Sequence, residues 1–262
     1  MFYLKNFPFA SNSLLTCAME TEKEDEQKKN LYLCALQTKD FEKMRKRLVI
    51  FDLDGTLLNT IADLAQSTNQ ALQHLGYPTH PVEAYHVMVG NGIAKLLERA
   101  LPAERRTPEE VQRMKALFVP HYDVHNADRS TPYPGIEKLL AELQEEGFLL
   151  AVASNKYQAA TEKLVAHYFP NIRFAAVLGQ RDGVPVKPDP QIVADIMSLT
   201  ATSRREILYV GDSGVDMQTA TRAQVDACGV CWGFRSREEL ASYQPALLVD
   251  KAEEIAAFLH QS

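Results

Sequence analysis

The hydrophobic pattern downstream of residue 46 alternates between short apolar runs and longer segments with helical spacing. Five short runs are rich in Val and Ile, which is typical of parallel strands buried on both faces. They lie at residues 48–51, 148–153, 174–178, 207–210 and 228–232. Amphipathic helices are predicted between them, with apolar faces formed by Ile136, Leu139, Leu140 and Leu143 and by Ile192, Val193, Ile196 and Leu199. This alternation predicts an α/β fold, a doubly wound parallel sheet covered by helices on both sides.

One interval interrupts the alternation, because no strand-like run occurs between about residue 60 and residue 132. Thr60 and Asp63 resemble a capping box at the start of one helix. Thr107 followed by Pro108 opens another helix, and Asn91 is a candidate cap for a third. An insert of about 70 residues is too long for a loop, so we predict a separate all-helical domain.

The predicted domain boundaries follow from this insert. The helical domain, which would act as a cap, spans residues 60–132, and the α/β core is formed by residues 44–59 and 133–262. Residues 57–60 and 130–135 are the predicted hinges. We expect residues 1–43 to be a disordered N-terminal extension, because residues 20–29 are nearly all charged or polar, and we expect Met44 to be the biological start.

Composition and charge exclude several classes of protein. Hydrophobic residues make up 46% of the 262 residues and charged residues 24%, as is ordinary for a globular protein. The net charge of −6 provides no basic surface for phosphate neutralisation, so we expect no nucleic-acid partner. No apolar run approaches the roughly 18 residues of a spanning helix, so we expect no membrane partner. With only four cysteines and no clear signal peptide, the expected location is cytoplasmic. The oligomeric state is left open.

The strongest chemical signal is a pair of carboxylates at the end of the first predicted strand. Asp52 and Asp54 are followed by Gly55, and ligands of α/β sheets bind beyond the carboxyl ends of the strands. Two like charges so close together are costly unless a cation neutralises them. Mg²⁺, a hard ion that prefers oxygen ligands, would do so. The alternative interpretation is a surface turn, since Asp-Gly is a common turn pair.

Other polar residues follow the ends of further predicted strands or precede a helix. They are Ser154 and Asn155, Lys187, and Asp212 with Asp216 one helical turn later. Taken singly, each could be a helix cap, a solvated charge or a turn. Parallel strands end at one edge of the sheet, so these groups should converge there. A nucleophilic carboxylate, a second acid, a lysine and Mg²⁺ together make a phosphoryl-transfer site.

In these motifs the chain resembles the haloacid dehalogenase superfamily, over about residues 46–262. The resemblance implies a Rossmann-like core with Asp52 as nucleophile and metal ligand. It implies that Asp54 is the general acid and base and binds Mg²⁺ through its main-chain carbonyl. Asp212 would be the remaining protein ligand of Mg²⁺. Dehalogenases and phosphonatases of the superfamily lack the second aspartate, so Asp54 argues for phosphate-ester chemistry.

The resemblance also assigns the groups that bind the phosphoryl oxygens. Ser154, Asn155 and Lys187 would bind phosphate, with Lys187 also counted as catalytic. Asp216 would support the site indirectly or through water. The substrate implied is a small phosphorylated metabolite.

The insert is similar to the helical cap of the subgroup that includes phosphoglycolate phosphatase and β-phosphoglucomutase. Several segments look like the phosphoglycolate phosphatases, which implies hydrolysis of 2-phosphoglycolate through an aspartyl-phosphate. Gly90, Asn91 and Gly92 would form a cap loop that closes over the substrate, or only a turn that starts a helix.

Two alternative functions remain open. A phosphomutase would need a base in the cap that protects the phospho-enzyme from water, and no clear one is present; Thr56 also suits the phosphatases better. A non-catalytic binding module of the same fold would be marked by loss of site residues, and Asp52, Asp54, Lys187 and Asp212 are all present.

Two residue pairs could suggest other metal or redox sites. Cys228 and Cys231 have the spacing of a redox or zinc pair but lie in an apolar run, so we expect core cysteines on opposite faces of the sheet. His121 and His125 are four residues apart on a helix. No third ligand is near them in the sequence, so we expect a solvent-facing surface.

Overall fold

The computed structural model describes residues 46–261, so the predicted extension at residues 1–43 lies outside the described residues. The strands in the described part are β1 (Leu48–Phe51), β2 (Leu58–Asn59), β3 (Thr131–Pro132), β4 (Leu149–Tyr157), β5 (Phe174–Gln180), β6 (Ile207–Gly211), β7 (Asp226–Val230) and β8 (Leu247–Val249). The helices are α1 (Ile61–His74), α2 (Ile93–Ala100), α3 (Pro108–His125), α4 (Ile136–Glu145), α5 (Gln158–Tyr168), α6 (Gln191–Thr200), α7 (Gly214–Ala223), α8 (Arg237–Ser242) and α9 (Glu253–Gln261). None of the helices between residues 46 and 261 is long and apolar enough to cross a membrane.

Six strands form one parallel sheet in the order β5-β4-β1-β6-β7-β8. Along β1, Val49 and Phe51 face a hydrophobic cluster that includes α4, α5 and α9. Leu48 and Ile50 face a second cluster that includes α6, α7 and α8. Each strand at the centre is therefore buried on both faces, which is why the sequence shows continuous apolar runs. The predicted fold class, a doubly wound parallel sheet, is confirmed.

The last two strands differ from the predicted ones. Strand β8 pairs with β7 at the edge of the sheet, and its three residues are too few to give a recognisable pattern. Strand β7 begins and ends two residues before the predicted run at residues 228–232. Cys231 and Trp232 lie beyond its end, where the Trp232 indole N–H donates to the Thr56 carbonyl at 3.1 Å.

One predicted helix face is partly wrong. Ile192, Val193 and Ile196 of α6 are buried against the sheet, as expected. Leu199, in the last turn of α6, is 65% exposed and so does not belong to the buried face.

Helices α1, α2 and α3 and the segment between α1 and α2 share a hydrophobic cluster that includes Leu72, Tyr85 and Phe118 and extends to Ala160 of α5. The chain enters these helices through β2 and leaves through β3, and these two short strands pair antiparallel, with Leu58 opposite Pro132. We call the segment between them the helical insert. The domain boundaries at residues 60 and 132 stay a prediction.

The start of α1 is not the predicted capping box. Helix α1 begins at Ile61, but no side chain caps it. The Thr60 hydroxyl donates instead to Asp54 at 2.6 Å. The Asp63 carboxylate accepts hydrogen bonds from the main-chain N–H groups of Arg129 and Ser130 and from the Ser130 hydroxyl, at 2.6–3.1 Å. Partners outside the first turn of α1 thus replace the local cap, Asp54 for Thr60 and the distant 129–130 segment for Asp63, and Asp63 ties α1 to the segment that leaves the insert.

Replacing Asp63 with alanine should destabilise the protein by about 3 kcal/mol, because buried donors of the 129–130 segment lose their acceptor. Urea unfolding of Asp63→Ala against wild type measures this loss. Asp128→Ala, in which the removed carboxylate is exposed and paired with His125, is the matched control and should lose less than about 1 kcal/mol. Equal losses in the two variants would show that Asp63 has no special structural role.

Candidate active site

The predicted polar residues meet at the carboxyl edge of the sheet. Asp52 directly follows β1, Ser154 and Asn155 lie near the end of β4, and Asp212 directly follows β6. Because β1 lies between β4 and β6, these groups are neighbours in space. They line a cavity of about 620 Å³, including its part open to solvent, whose far wall is formed by the helical insert.

Asp52 is held from two sides. Its Oδ1 accepts a hydrogen bond from the Leu53 N–H at 2.7 Å and lies 2.9 Å from the Lys187 ammonium. Burial raises the pKa of Asp52 well above its ordinary value, and the nearby Asp216 carboxylate raises it further, against the opposing effect of Lys187. The ionised form of Asp52 is therefore disfavoured unless cations lie next to it.

Lys187 is a buried cation rather than a solvated charge. Its ammonium donates to the Ala153 carbonyl at 2.8 Å and to Asp216 Oδ1 at 2.7 Å, besides its ion pair with Asp52. Burial alone would lower the pKa of Lys187, but the carboxylates of Asp216 and Asp52 outweigh it and raise the pKa well above the usual value. Lys187 therefore stays charged between the two carboxylates.

Asp212 and Asp216 lie on either side of Ser213. Asp216 is fully buried, and its Oδ2 accepts from the N–H and the hydroxyl of Ser213 at 3.1 and 2.6 Å, which forms a capping box at the start of α7. Asp212 Oδ2 accepts from the Phe234 N–H at 2.7 Å. Burial, together with the charge of Asp216, raises the pKa of Asp212 to about 7.

These carboxylates fit a hard divalent cation. Oxygens of Asp52, Asp212 and Asp216 lie within 4.8 Å of one another, and one buried lysine cannot neutralise three negative charges. Asp52 and Asp212 line the cavity and Asp216 does not, so Asp52 and Asp212 are the carboxylates better placed to bind a metal. Oxygen donors of this kind suit Mg²⁺.

Gly55 makes room for this arrangement. Its φ of +86° belongs to the left-handed region that favours glycine. A Cβ at this position would lie 2.3 Å from Asp212 Oδ2, closer than any real contact. A side chain here would therefore displace the carboxylate of Asp212 from the site.

Asp54 has partners quite different from those of Asp52. Its Oδ1 accepts from the Thr60 hydroxyl at 2.6 Å and lies 3.1 Å from the ammonium of Lys156. Lys156 in turn donates to the hydroxyl of Tyr122, on α3 of the insert, at 2.8 Å. Sequence reasoning assigned no site role to Thr60, Lys156 or Tyr122. Lys156 adjoins the predicted Ser154-Asn155 pair, whereas no local pattern marks Tyr122.

Ser154 and Asn155 differ in how free their side chains are. The buried Ser154 side chain lines the cavity, and its hydroxyl accepts from the Lys156 N–H at 3.2 Å, its one hydrogen bond within residues 46–261. The Asn155 amide donates to the carbonyls of Gly90 and Lys187 at 3.0 Å and accepts from the Lys187 N–H at 2.8 Å. The Asn155 side chain thus holds two loops together.

The predicted cap loop is divided between the cavity and the insert. Gly90 and Gly92 line the cavity, but Asn91 does not, and its side-chain Oδ1 accepts from Arg99 at 2.8 Å. Asn91 also does not cap α2, whose first flanking residue is Gly92. Arg235 of the core, which sequence reasoning missed, donates to the carbonyls of His86 and Val89 and so fastens this loop to the core. Apart from the Tyr122 hydroxyl, the side chains that the insert contributes to the cavity are apolar: Leu64, Val89, Ile93, Leu96 and Phe118.

The cysteine and histidine pairs lie apart from the cavity. Cys228 is buried in one core cluster, while Cys231 packs against the other and is only partly buried, so the core prediction holds fully for Cys228 alone. Among the described residues neither pair belongs to a group of possible metal ligands. His125 pairs with Asp128, but His121 is partly buried and contacts the Ser67 hydroxyl at 2.9 Å, so it does not simply face solvent.

Comparisons with known proteins agree with this geometry. A sequence model of the family "Haloacid dehalogenase-like hydrolase" matches residues 49–230. A phosphoglycolate phosphatase of Mesorhizobium japonicum is 32% identical over 79% of this chain and 91% of its own length. One from Mannheimia succiniciproducens is 31% identical over 76% of this chain and 92% of its own. The crystal structure of a predicted phosphoglycolate phosphatase from Haemophilus somnus, 27% identical, superimposes with a TM-score of 0.76 over 81% of this chain and 97% of its own.

Asp212→Asn should stabilise the metal-free protein at alkaline pH. The folded-state pKa of Asp212, about 7, lies above its ordinary value of 3.8, so its contribution to stability is full below pH 4 and is lost as pH rises through 7. Asparagine cannot ionise, so the melting temperature of the variant relative to wild type should rise between pH 5 and pH 8, by at least about 2–4 °C.

Thermal unfolding in EDTA at the two pH values measures this difference. Asp182→Asn, which removes an exposed carboxylate, is the control and should show the same difference from wild type at both pH values. A pH-independent difference for Asp212→Asn as well would contradict the raised pKa.

Proposed function

The chain belongs to the haloacid dehalogenase-like hydrolase family and is a phosphatase, and from this premise we propose that it hydrolyses 2-phosphoglycolate to glycolate and phosphate. The observation that carries the chemistry is the separation of two neighbouring aspartates into different environments. Asp52 lies against Lys187, whereas Asp54 lies against Thr60 and Lys156. The substrate rests on the relatives named phosphoglycolate phosphatase, each aligned over most of its length.

Asp52 would be the nucleophile. Its Oδ1 is held by the Leu53 N–H and Lys187, so the other oxygen is the one to attack phosphorus. The bond from that oxygen to phosphorus forms while the bond to the ester oxygen breaks, which yields an aspartyl-phosphate. Lys187 and the Ser154 hydroxyl would bind oxygens of the transferred group and offset its negative charge.

Asp54 would be the general acid in the first step and the general base in the second. In the first step its carboxyl group protonates the departing ester oxygen, and in the second its carboxylate takes a proton from the water that attacks the aspartyl-phosphate. The proton gained in the second step restores the acid for the next turnover. Thr60 and Lys156 hold the carboxylate at the edge of the cavity.

Asp52, Asp212 and the main-chain carbonyl of Asp54 would hold Mg²⁺, with Asp216 supporting the site through Lys187 and Ser213. When bound, Mg²⁺ supplies positive charge that stabilises the phosphoryl oxygens. The protein's own contribution is to keep two carboxylates buried and close together so that an ion of this charge is favoured.

The helical insert would act as the cap, over residues 60–132. Gly90 and Gly92 would approach the substrate, whereas Asn91 serves the insert itself by its contact with Arg99. The cavity between the insert and the sheet suits a small substrate, as 2-phosphoglycolate is.

Variants of the two aspartates should separate their roles. Asp52→Asn removes the nucleophile, so neither turnover nor phospho-enzyme should be detectable. Asp54→Asn should lose about 10²–10⁴-fold in rate on alkyl phosphates. On p-nitrophenyl phosphate, whose leaving group needs little protonation, phosphorylation of Asp52 should partly survive and the phospho-enzyme should accumulate.

Rapid-quench trapping of the phospho-enzyme measures both variants. A phosphoprotein formed by Asp52→Asn, or full turnover by Asp54→Asn, would overturn these roles.

A screen of about a hundred phosphorylated metabolites with released phosphate as the readout tests the substrate. We expect 2-phosphoglycolate among the best few substrates by kcat/KM, and activity lost in EDTA should return with Mg²⁺. A low rank for 2-phosphoglycolate would refute the substrate while leaving the phosphatase class intact. Isomerisation of glucose 1-phosphate without phosphate release would favour a phosphomutase.

A further inference from the structure

Lys156 and Tyr122 form a buried contact between the core and the helical insert beside the proposed acid. The side chain of Lys156, at the end of β4, is 3% exposed, and Tyr122, on α3, is fully buried. The ammonium donates to the Tyr122 hydroxyl at 2.8 Å and lies 4.7 Å from the centre of the same ring. Lys156 therefore cannot move without breaking contacts to a residue of the insert.

The other end of this contact is Asp54. Its Oδ1 lies 3.1 Å from the Lys156 ammonium and accepts the Thr60 hydroxyl at 2.6 Å. Among the described residues, no hydrogen bond is recorded to the other oxygen, Oδ2. An acid proton on Asp54 belongs on Oδ2, because Oδ1 already accepts the Thr60 hydroxyl and pairs with the Lys156 ammonium. Asp54 lines the cavity, so Oδ2 is the oxygen available to the leaving group.

Tyr122 is itself held firmly. Its ring stacks on Phe118 with centroids 5.1 Å apart and planes 17° from parallel. Burial raises the pKa of Tyr122 well above its usual value, so the phenol stays neutral. A fixed, neutral hydroxyl gives the Lys156 ammonium a defined direction without competing for its charge.

We propose that the Tyr122 hydroxyl is a positioning group for catalysis: it orients Lys156, which in turn orients the Asp54 carboxyl group toward the leaving-group oxygen. The inference rests on the proposed role of Asp54. In the step concerned, the proton on Asp54 Oδ2 moves to the ester oxygen as the phosphorus–oxygen bond breaks and the bond to Asp52 forms. The insert thus contributes to the acid function through one side chain that touches no reacting atom.

Tyr122→Phe removes only the hydroxyl and leaves the stacked ring in place. The matched control is Tyr85→Phe, because Tyr85 is also a fully buried tyrosine of the insert, and its hydroxyl donates to Asn69 at 2.7 Å outside the cavity lining. The two substrates are phenyl phosphate and p-nitrophenyl phosphate, which are similar in shape but differ in how much protonation the leaving group needs. Neither carries a carboxylate, so a direct contact of Lys156 with a charged leaving group does not enter the comparison.

The ratio of kcat/KM for phenyl phosphate to that for p-nitrophenyl phosphate should fall about tenfold in Tyr122→Phe, a fraction of the about 10²–10⁴-fold that full general-acid catalysis contributes. Tyr85→Phe should keep the wild-type ratio. Lys156→Met removes the ammonium that links Tyr122 to Asp54, so it should lower this ratio at least as much as Tyr122→Phe does. Melting temperatures of all variants identify any loss of folded protein.

A double-mutant cycle completes the test. In an Asp54→Asn background, Tyr122→Phe should change the rate on phenyl phosphate less than twofold, because the group it positions is gone. An equal loss on both substrates, or an undiminished effect in the Asp54→Asn background, would overturn the proposal. The proposed function is tested separately, by phosphate release from 2-phosphoglycolate, and its failure there would be a distinct result.

Discussion

The site depends on one buried ammonium group placed among carboxylates. Lys187 contacts both Asp52 and Asp216 and is almost wholly shielded from water. Removing a charge from water is expensive, and the cost is recovered only when partners are close and well oriented. Three carboxylates lie close together, and Lys187 pairs with only two of them, so one lysine does not neutralise the group. Burial and the charge of Asp216 raise the pKa of Asp212, and the remaining negative charge makes the site suited to a divalent ion.

Two aspartates separated by one residue acquire different chemistry because they face different partners. Asp52 faces Lys187, which belongs to a loop of the core. Asp54 faces Thr60 at the entry to the insert and Lys156 on β4, whose ammonium reaches Tyr122 of the insert. The nucleophile is thus set by the core alone, while the acid depends on the junction between core and insert.

Both polar contacts and hydrophobic packing make that junction. Arg235 and Asn155 bind carbonyls of the loop before α2, and Ala160 of α5 lies in the same hydrophobic cluster as residues of the insert. Hydrogen bonds of this kind are geometrically specific, so a small displacement of the insert breaks them. The apolar wall that the insert presents to the cavity keeps its position relative to the carboxylates through these bonds.

The sequence by itself determined the parallel sheet and the positions of Asp52, Asp54, Lys187 and Asp212, because strands buried on both faces must be continuously apolar and must end at a common edge. Tertiary structure alone decided which groups those residues touch. Thr60 and Asp63 look like a local cap, yet each finds a partner elsewhere in the fold. Tyr122 and Lys156 are 34 residues apart, and β8 is recognisable only beside β7. The physical reason is that hydrophobic periodicity is a local property of the chain, whereas a hydrogen bond between distant residues exists only after packing has brought its two ends together.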